Sequence, residues 1–384
     1  MDRKKLAALL SASFFYWIGL YLYVPTLPEF VRRHSPTLAA VGVVLSMYGL
    51  WQGVVRIPLG VTVDATGRGK PYLILGFILT ALGAVVMAKG TTVTSLTVGR
   101  AITGLAAGTW VPLIVVFSGY FPPKQAVFAT SLLTMSNSFG RILATSATGV
   151  LNAIGGYSLP FYLAAASAGI SVIIIGATKI ERREVHAVSV SSIAKIFVRG
   201  DVLLPSFISA IGQIGNWAVT LGFMPILATQ AGAGEIEVGL LIGLNVVASM
   251  VGNLLNTVVT RRISRTSLLY GAFALFSAGI VFIALIHSIV LFFVGSFVIG
   301  LSTGFSYPTL MGLSIERVDQ SHRTTAMGIH QAVYSIGMFV GPWIGGIVAD
   351  AIGIRWMFGA TAALCLVGSY TLIAVRKRVL AASA

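Results

Sequence analysis

Apolar residues run along this chain in twelve stretches separated by short polar breaks. They fall near 6–28, 37–63, 71–90, 94–119, 125–151 and 158–178, then 201–228, 236–260, 267–286, 289–314, 325–350 and 355–375. Each is close to the ~20 residues that a helix needs to cross a bilayer. The one long polar gap, 179–200, carries Lys179, Glu181, Arg182, Arg183, Glu184, Lys195 and Arg199. We therefore expect an all-α membrane protein: twelve transmembrane helices in two six-helix bundles, residues 1–178 and 201–384, joined by a linker at 179–200.

Polarity differs from stretch to stretch. The third, sixth, ninth and twelfth are almost wholly apolar. The fifth carries Thr134, Asn137, Ser138, Arg141, Thr145, Thr148 and Asn152, which at 3.6 residues per turn make one polar stripe. The eighth does the same with Asn245, Ser249, Asn253, Asn256 and Thr260, and the seventh shows Ser209, Gln213, Asn216 and Thr220. A polar stripe within a membrane must face protein or water. The spacing predicts that helices 3, 6, 9 and 12 face lipid while 5, 7 and 8 look into a polar cleft.

Composition agrees with this pattern: of 384 residues, 56% are hydrophobic and 10% charged, against roughly a quarter charged in soluble proteins. The net charge of +15 would suggest nucleic acid in a soluble protein, but its placement gives another cause. With both termini inside, nineteen Lys and Arg fall in inner segments, four (Arg32, Arg33, Lys89 and Arg355) in outer loops, and three within spans. That asymmetry sets topology and faces anionic lipid, so we expect a plasma (inner) membrane protein with cytoplasmic termini and no nucleic-acid partner. Arg3, Lys4 and Lys5 precede a retained first helix rather than a cleaved signal. The single Cys365 excludes an internal disulfide and a cysteine metal cluster. No P-loop, zinc-spaced His or Cys, or nucleophile elbow is present, so neither an enzyme, a metal site, a cofactor nor an ATP-driven pump is expected.

The two sets of six repeat one another. Trp17 and Pro25 recur as Trp217 and Pro225, while Gly104, Gly108 and Pro112 recur as Gly300, Gly304 and Pro308, and Gly76 recurs as Gly271. Parallel six-span repeats related by an axis along the membrane normal are a transporter architecture.

The second and third stretches are joined by Arg56-Ile-Pro-Leu-Gly60-Val-Thr-Val-Asp64-Ala-Thr-Gly67-Arg68-Gly-Lys70. Gly60 and Gly67 suit close helix approach and a tight reversal, and Asp64 is placed to act as a breakable latch on neighbouring helix ends. This loop resembles that between helices 2 and 3 of major facilitator superfamily transporters: Gly, three residues, Asp, two residues, Gly-Arg, any residue, then Lys or Arg. The resemblance extends over nearly the whole chain and implies the major facilitator fold, with helices 1, 4, 7 and 10 around a cavity and 2, 5, 8 and 11 between the halves. Gly337-Met-Phe-Val-Gly341-Pro342-Trp-Ile-Gly345-Gly346 in helix 11 is similar to the glycine-proline motif that the drug/proton antiporter branch carries in helix 5. Here helix 5 lacks it, and we expect the motif to serve close helix packing in the other half. In place of the 2–3 loop the second half has Thr260-Arg261-Arg262-Ile-Ser-Arg265, with Glu316-Arg317 as its expected partner.

Three arginines lie within spans. Arg100 opens Arg-Ala-Ile-Thr-Gly104-Leu-Ala-Ala-Gly108, which resembles the family's helix-4 motif. The resemblance implies proton coupling for this arginine; the residue itself equally suits snorkelling from the outer end of helix 4. Arg56 suits a structural or gating pair. Arg141, central in the stripe of helix 5, suits contact with an anionic or polar substrate, or else a bond to backbone carbonyls or Asn137. Among the eleven acids, Glu29 is the plausible proton carrier, while Asp64 and Asp350 are placed at cytoplasmic helix ends. His330 could carry a proton or simply pack. Trp17, Trp110 and Trp217 suit the cavity wall, together with Asn137, Gln213, Asn216 and Asn245, whereas Tyr21 and Tyr23 suit an interfacial belt.

We thus expect a monomeric secondary transporter working by alternating access, with a small-molecule substrate, protons and membrane lipids as partners. The branch resembled implies proton-coupled multidrug efflux of small amphiphilic or organic-ion compounds. Import of a polar or anionic metabolite and flipping of a lipid-linked molecule are the alternatives, and a non-transporting sensor lacks an effector region.

Overall fold

The computed structural model describes residues 3–122, 125–182, 196–319 and 322–382, with the side chains of Asp64, Ala126, Val127, Thr324, Leu380, Ala381 and Ala382 outside that description. Most of the expected linker also falls outside the described residues. The described chain forms twelve helical segments. The first six are α1 (Arg3–Tyr21, resumed as Leu27–Arg32), α2 (Leu38–Thr66), α3 (Lys70–Ala88), α4 (Val93–Ala107, then Trp110–Ser118), α5 (Ala126–Gly155) and α6 (Ser158–Ala177). The second six are α7 (Gly200–Gly215, Asn216–Phe223, Met224–Gln230), α8 (Glu235–Val259), α9 (Arg265–Leu285), α10 (Ile289–Ile315), α11 (Arg323–Ile352) and α12 (Ile354–Ala382). Ten of the twelve are long and apolar enough to cross a membrane. The two that fall short are α1, whose continuous part is short and begins with three bases, and α5, whose polar stripe lowers its hydropathy.

Both chain ends lie on one face of the bundle, the terminal face; the opposite end is the far face. The helix ends follow local chemistry. Thr37 opens α2 in extended backbone, and Thr92 and Ser95 form a reciprocal capping box on α4. Gly67 closes α2 at φ 62°, a left-handed cap that needs no β-carbon and reverses the chain as the sequence predicts.

The repeat read from the glycines is visible in the packing. A β-carbon on Gly104 would sit 2.8 Å from the Tyr48 carbonyl of α2, and one on Gly300 would run into the Asn245 carbonyl of α8. Gly108 and Gly304 extend the same two contacts, to Val55 and to the Ser249 carbonyl. The third pair departs from this rule: Gly76 lies against Thr109, whereas nothing approaches Gly271.

Between the halves, α2 packs along α11 and α5 along α8. On α2, Gly42 abuts the Pro342 carbonyl, Gly49 the Met338 backbone and Gly53 the Ser335 side chain, all on α11. On the other flank Gly149 meets the Glu235 backbone, and a β-carbon on Gly239 would stand 3.0 Å from the Thr145 carbonyl. Contact without intervening side chains is how membrane helices associate where no hydrophobic drive exists. Leu75, Ile78 and Leu82 on α3, Ile170 and Ile173 on α6, Val281 and Leu285 on α9, and Leu364 and Val367 on α12 are exposed, as expected for lipid-facing helices.

The stripe on α8 is a correction. Asn245 Nδ2 donates to the Ser296 carbonyl at 2.9 Å, and Asn256 Oδ1 accepts from Thr309 Oγ1 at 3.2 Å, so these amides join α8 to α10 rather than facing a cleft. Periodicity shows that a stripe must be satisfied, not which neighbour satisfies it.

Candidate transport site

Three helices are interrupted close to prolines. Pro112 has no N–H for the Gly108 carbonyl, and α4 breaks at Gly108–Thr109. Tyr16 of α1 secures that break, its hydroxyl donating to the Ala106 carbonyl at 2.7 Å and lying 3.2 Å from Thr109 Oγ1. α1 opens into a turn over 22–26, and α7 takes a π-helical path over Asn216–Phe223, a form common at functional sites.

The break in α1 moves Tyr21 and Tyr23 away from an interfacial belt. Both are buried, and both face arginines. The Arg141 guanidinium lies 4.5 Å from the Tyr21 ring centroid, while Arg100 lies 4.3 Å from the Tyr48 ring and 5.9 Å from those of Tyr23 and Trp217. Arg100 is 0% exposed, which overturns the snorkelling alternative. Its Nη1 donates to Tyr23 Oη at 3.4 Å, while Nε and Nη2 have no hydrogen-bond partner among the described residues. A buried guanidinium held by π faces and one long hydrogen bond is under-satisfied. Arg141 Nε and Asn137 Oδ1 are likewise buried without partners, so the expected bond between these two side chains is not formed.

Arg56 is buried as well and ties α2 to α11: Nη1 donates to Tyr334 Oη at 2.8 Å and to the Gln331 carbonyl at 3.4 Å. The bond to Tyr334 crosses the seam between the two halves. The Tyr334 ring stands edge-on to Tyr307 at 5.9 Å and to His330 at 5.8 Å.

The three tryptophans converge at this level. Trp17 is edge-on to Trp110 at 5.2 Å, and Trp217 stacks on Tyr48 of the other half at 5.1 Å. Gln213 and Asn216 line a small recess in the second half, together with Ser209, Gly212, Phe273, Phe276, Thr303, Ser306, Tyr307 and Leu310. Asn245 is not part of it, being spent on α10.

The proton candidates are dispersed. Glu29 sits at the far face in an ion pair with Arg32 at 3.2 Å, because the turn after Tyr21 carries it past the cavity. His330 is buried in the second half, with Nδ1 3.0 Å from Ser206 Oγ and Nε2 without a hydrogen-bond partner among the described residues. Asp350, expected at a cytoplasmic helix end, is instead at the far face beside the start of α2, because α11 runs from the terminal face to the far face.

In the 2–3 loop, Lys70 Nζ donates to the Gly176 and Thr178 carbonyls at 2.8 and 2.9 Å, a cation on the C-terminus of α6. Arg68 is exposed. The Asp64 side chain lies outside the described residues. Gly60 departs from expectation: a β-carbon there would meet nothing within 4 Å, since this end of α2 has left its neighbour. The second half keeps its expected pair, Arg265 Nη1 to Glu316 Oε1 at 2.7 Å. The glycine-proline motif packs helices as expected. Gly337 abuts the Ala210 carbonyl and a β-carbon on Gly341 would stand 2.6 Å from that of Ile214, while Gly345 faces Ala218, all on α7. Pro342 and Gly346 face α2 at Gly42 and Leu38.

Sequence reasoning missed Tyr48 and Tyr307, and put Asp350 on the wrong face. Two mid-span tyrosines in helices that also carry glycine contacts were the available signal for the first two.

Comparison with known proteins closes the argument. The model of the Major Facilitator Superfamily matches residues 9–205 and again 206–382. An uncharacterized MFS-type transporter of Methanocaldococcus jannaschii is 22% identical over 393 residues, 95% of this chain and 96% of that one. The class H tetracycline resistance protein of Pasteurella multocida is 32% identical over 161 residues, 41% of this chain and 40% of its own length. In structure, a bacterial homolog of the human lysosomal transporter Spinster, inward-facing and unoccupied, superposes with a TM-score of 0.81 at 16% identity, covering 98% of each chain. The two arrays of six helices, their glycine seams and the double match of one family model make this chain a member of the Major Facilitator Superfamily.

Proposed function

We propose that this transporter exports small amphiphilic organic anions by alternating access, with both termini and the linker in the cytoplasm of a plasma (inner) membrane. One observation carries the reading. Arg100 and Arg141 stand against Tyr21, Tyr23, Tyr48 and Trp217, with Arg56 against Tyr334, and the acids among the described residues lie at or near helix ends. Under-satisfied guanidinium groups against ring faces favour a ligand with an anionic end and an apolar body. An inside-negative potential favours outward movement of such an anion by about 2.3 kcal/mol per charge per 100 mV.

The close cross-half contacts run from the far face down to Arg56, and Gly60 stands free beyond them. That distribution supports a state open at the terminal face, with Asp64 and its loop acting as the latch when that face closes. A second reading is proton-coupled efflux of lipophilic cations, and the relative named for tetracycline resistance supports drug export in general. This second reading needs a counter-charge for the cation, and His330 is then the proton carrier.

A thermal-shift ligand screen on purified wild type and Arg141→Ala tests the reading. Lipophilic anions are expected to raise the melting temperature of the wild type and to do so less in the variant, because stabilisation follows occupancy. Stabilisation of both proteins by lipophilic cations, with none by anions, overturns it.

A further inference from the structure

At the far face the second half supplies two carboxylates and the first half their donors. Asp350, two residues before the end of α11, accepts from the Leu38 N–H through Oδ1 and from the Ala39 N–H through Oδ2, both at 2.7 Å. On the other flank Glu235, the first residue of α8, lies 3.7 Å from Arg33, whose guanidinium covers the Tyr157 ring at 4.2 Å. Burial, with Glu235 beside it, holds the Tyr157 phenol above its ordinary pKa, so this flank keeps a neutral tyrosine against its ion pair.

The two braces differ in kind. Arg33 and Glu235 are long side chains that can part and rejoin independently of the helices. Asp350 grips the backbone of a 29-residue helix. The first N–H groups of any helix lack an intrahelical acceptor and carry its positive end. Here Thr37 Oγ1 takes the N–H of Ala40 at 3.4 Å, and those of Leu38 and Ala39 are left to the carboxylate from the opposite half. Gly346 permits the approach, since a β-carbon on it would stand 2.6 Å from the Leu38 carbonyl. Arg355, five residues beyond Asp350, is committed to the Ala284 and Ile286 carbonyls.

We infer that Asp350 is a positioning residue of the transport cycle, whose carboxylate on the first turn of α2 holds the far face shut. Both hydrogen bonds share one carboxylate, so a shift of a few ångströms between α2 and α11 breaks them together. Asp350 is exposed, so water replaces the backbone donors as the face opens, and the contact is reversible on each turnover. The inference needs only that the two faces open in turn; it does not rest on the nature of the substrate.

Spin labels at Thr91→Cys and His287→Cys, in exposed far-face loops of the two halves, report this closure in a Cys365→Ser background. A second pair, Gln125→Cys and Arg262→Cys, reports the terminal face. In full-length protein in vesicles, Asp350→Ala is expected to raise the ratio of long to short far-face distances roughly fivefold. The terminal pair should move the opposite way, and Asp350→Glu should recover part of the shift. Leu38→Pro removes one donor from the other side at a position where proline begins a helix well, and is expected to shift the ratio in the same direction by about twofold. Unchanged distance distributions in Asp350→Ala overturn the inference; should that variant not fold, unchanged distributions in Leu38→Pro do so.

Discussion

Helices α1 and α7 hold equivalent places in the two halves, and each carries a tryptophan followed eight residues later by a proline. Their surroundings have diverged. Trp17 packs edge-on against Trp110 of its own half, while Trp217 crosses the seam to stack on Tyr48. The first half contributes the guanidinium groups of Arg141, against Tyr21, and of Arg100, which reaches the Trp217 ring across the seam; the second half lines a recess with the amides of Gln213 and Asn216 and the hydroxyls of Thr303, Ser306 and Tyr307. Duplication thus preserved the hinges and seams, which depend on backbone geometry, while the chemistry of the two walls became unlike. One wall offers charge and the other neutral hydrogen bonding, so a ligand bridging them is read differently at its two ends.

The sharpest way to break this comparison is to remove the charge from one wall. Arg100→Gln keeps a long polar side chain but abolishes the cation between Tyr48 and Tyr23. If the first half recognises an anionic end, kcat/KM for anion transport should fall about 100-fold, near 2.7 kcal/mol. Gln213→Leu on the neutral wall should cost about tenfold or less and alter selectivity among anions of different body. Both are read by uptake of labelled anion into proteoliposomes. Equal losses in the two variants would mean that the walls do not divide the work.

Next in size is the cross-seam bond from Arg56. Tyr334→Phe keeps the ring under the guanidinium but removes the oxygen that accepts at 2.8 Å. A buried charge left with one long bond to the Gln331 carbonyl should destabilise this closed seam by about 1–3 kcal/mol. The measurement is the melting temperature together with turnover. A lower melting temperature with normal anion affinity would place Arg56 in the seam and apart from the wall.

What the sequence made legible follows from what hydropathy and spacing encode. Helix ends predicted at 201–228, 236–260 and 289–314 appear at Gly200–Gln230, Glu235–Val259 and Ile289–Ile315, because a bilayer imposes length and exclusion of charge. The glycine contacts of Gly104 and Gly300 were legible as a repeat, since a small residue at a crossing point has few substitutes. Direction around a helix was not. Asn245 looked like a cavity residue and proved to be a clasp on Ser296. Glu29 looked like the end of a span and proved to lie beyond a turn, paired with Arg32. Asp350 was placed on the wrong face. The partners of Asn245 and Asp350 come from segments distant in sequence, about which periodicity carries no information, and Glu29 was displaced by the turn that follows Tyr21.

The smallest expected effect tests the seam where it is already open. Gly42, Gly49 and Gly53 of α2 are each pressed against α11, yet Gly60, two turns further on, has no neighbour within 4 Å of a β-carbon. In this state Gly60→Ala adds helix propensity without a clash and should stabilise the protein by about 0.4–1 kcal/mol. Alternating access requires the terminal face to close in turn, and a glycine at that position would then be needed for contact. Gly60→Ala should therefore raise the melting temperature slightly while slowing turnover several-fold. A variant that is more stable and transports at the wild-type rate would show that α2 never closes upon that glycine, and that the terminal face is shut by its loop alone.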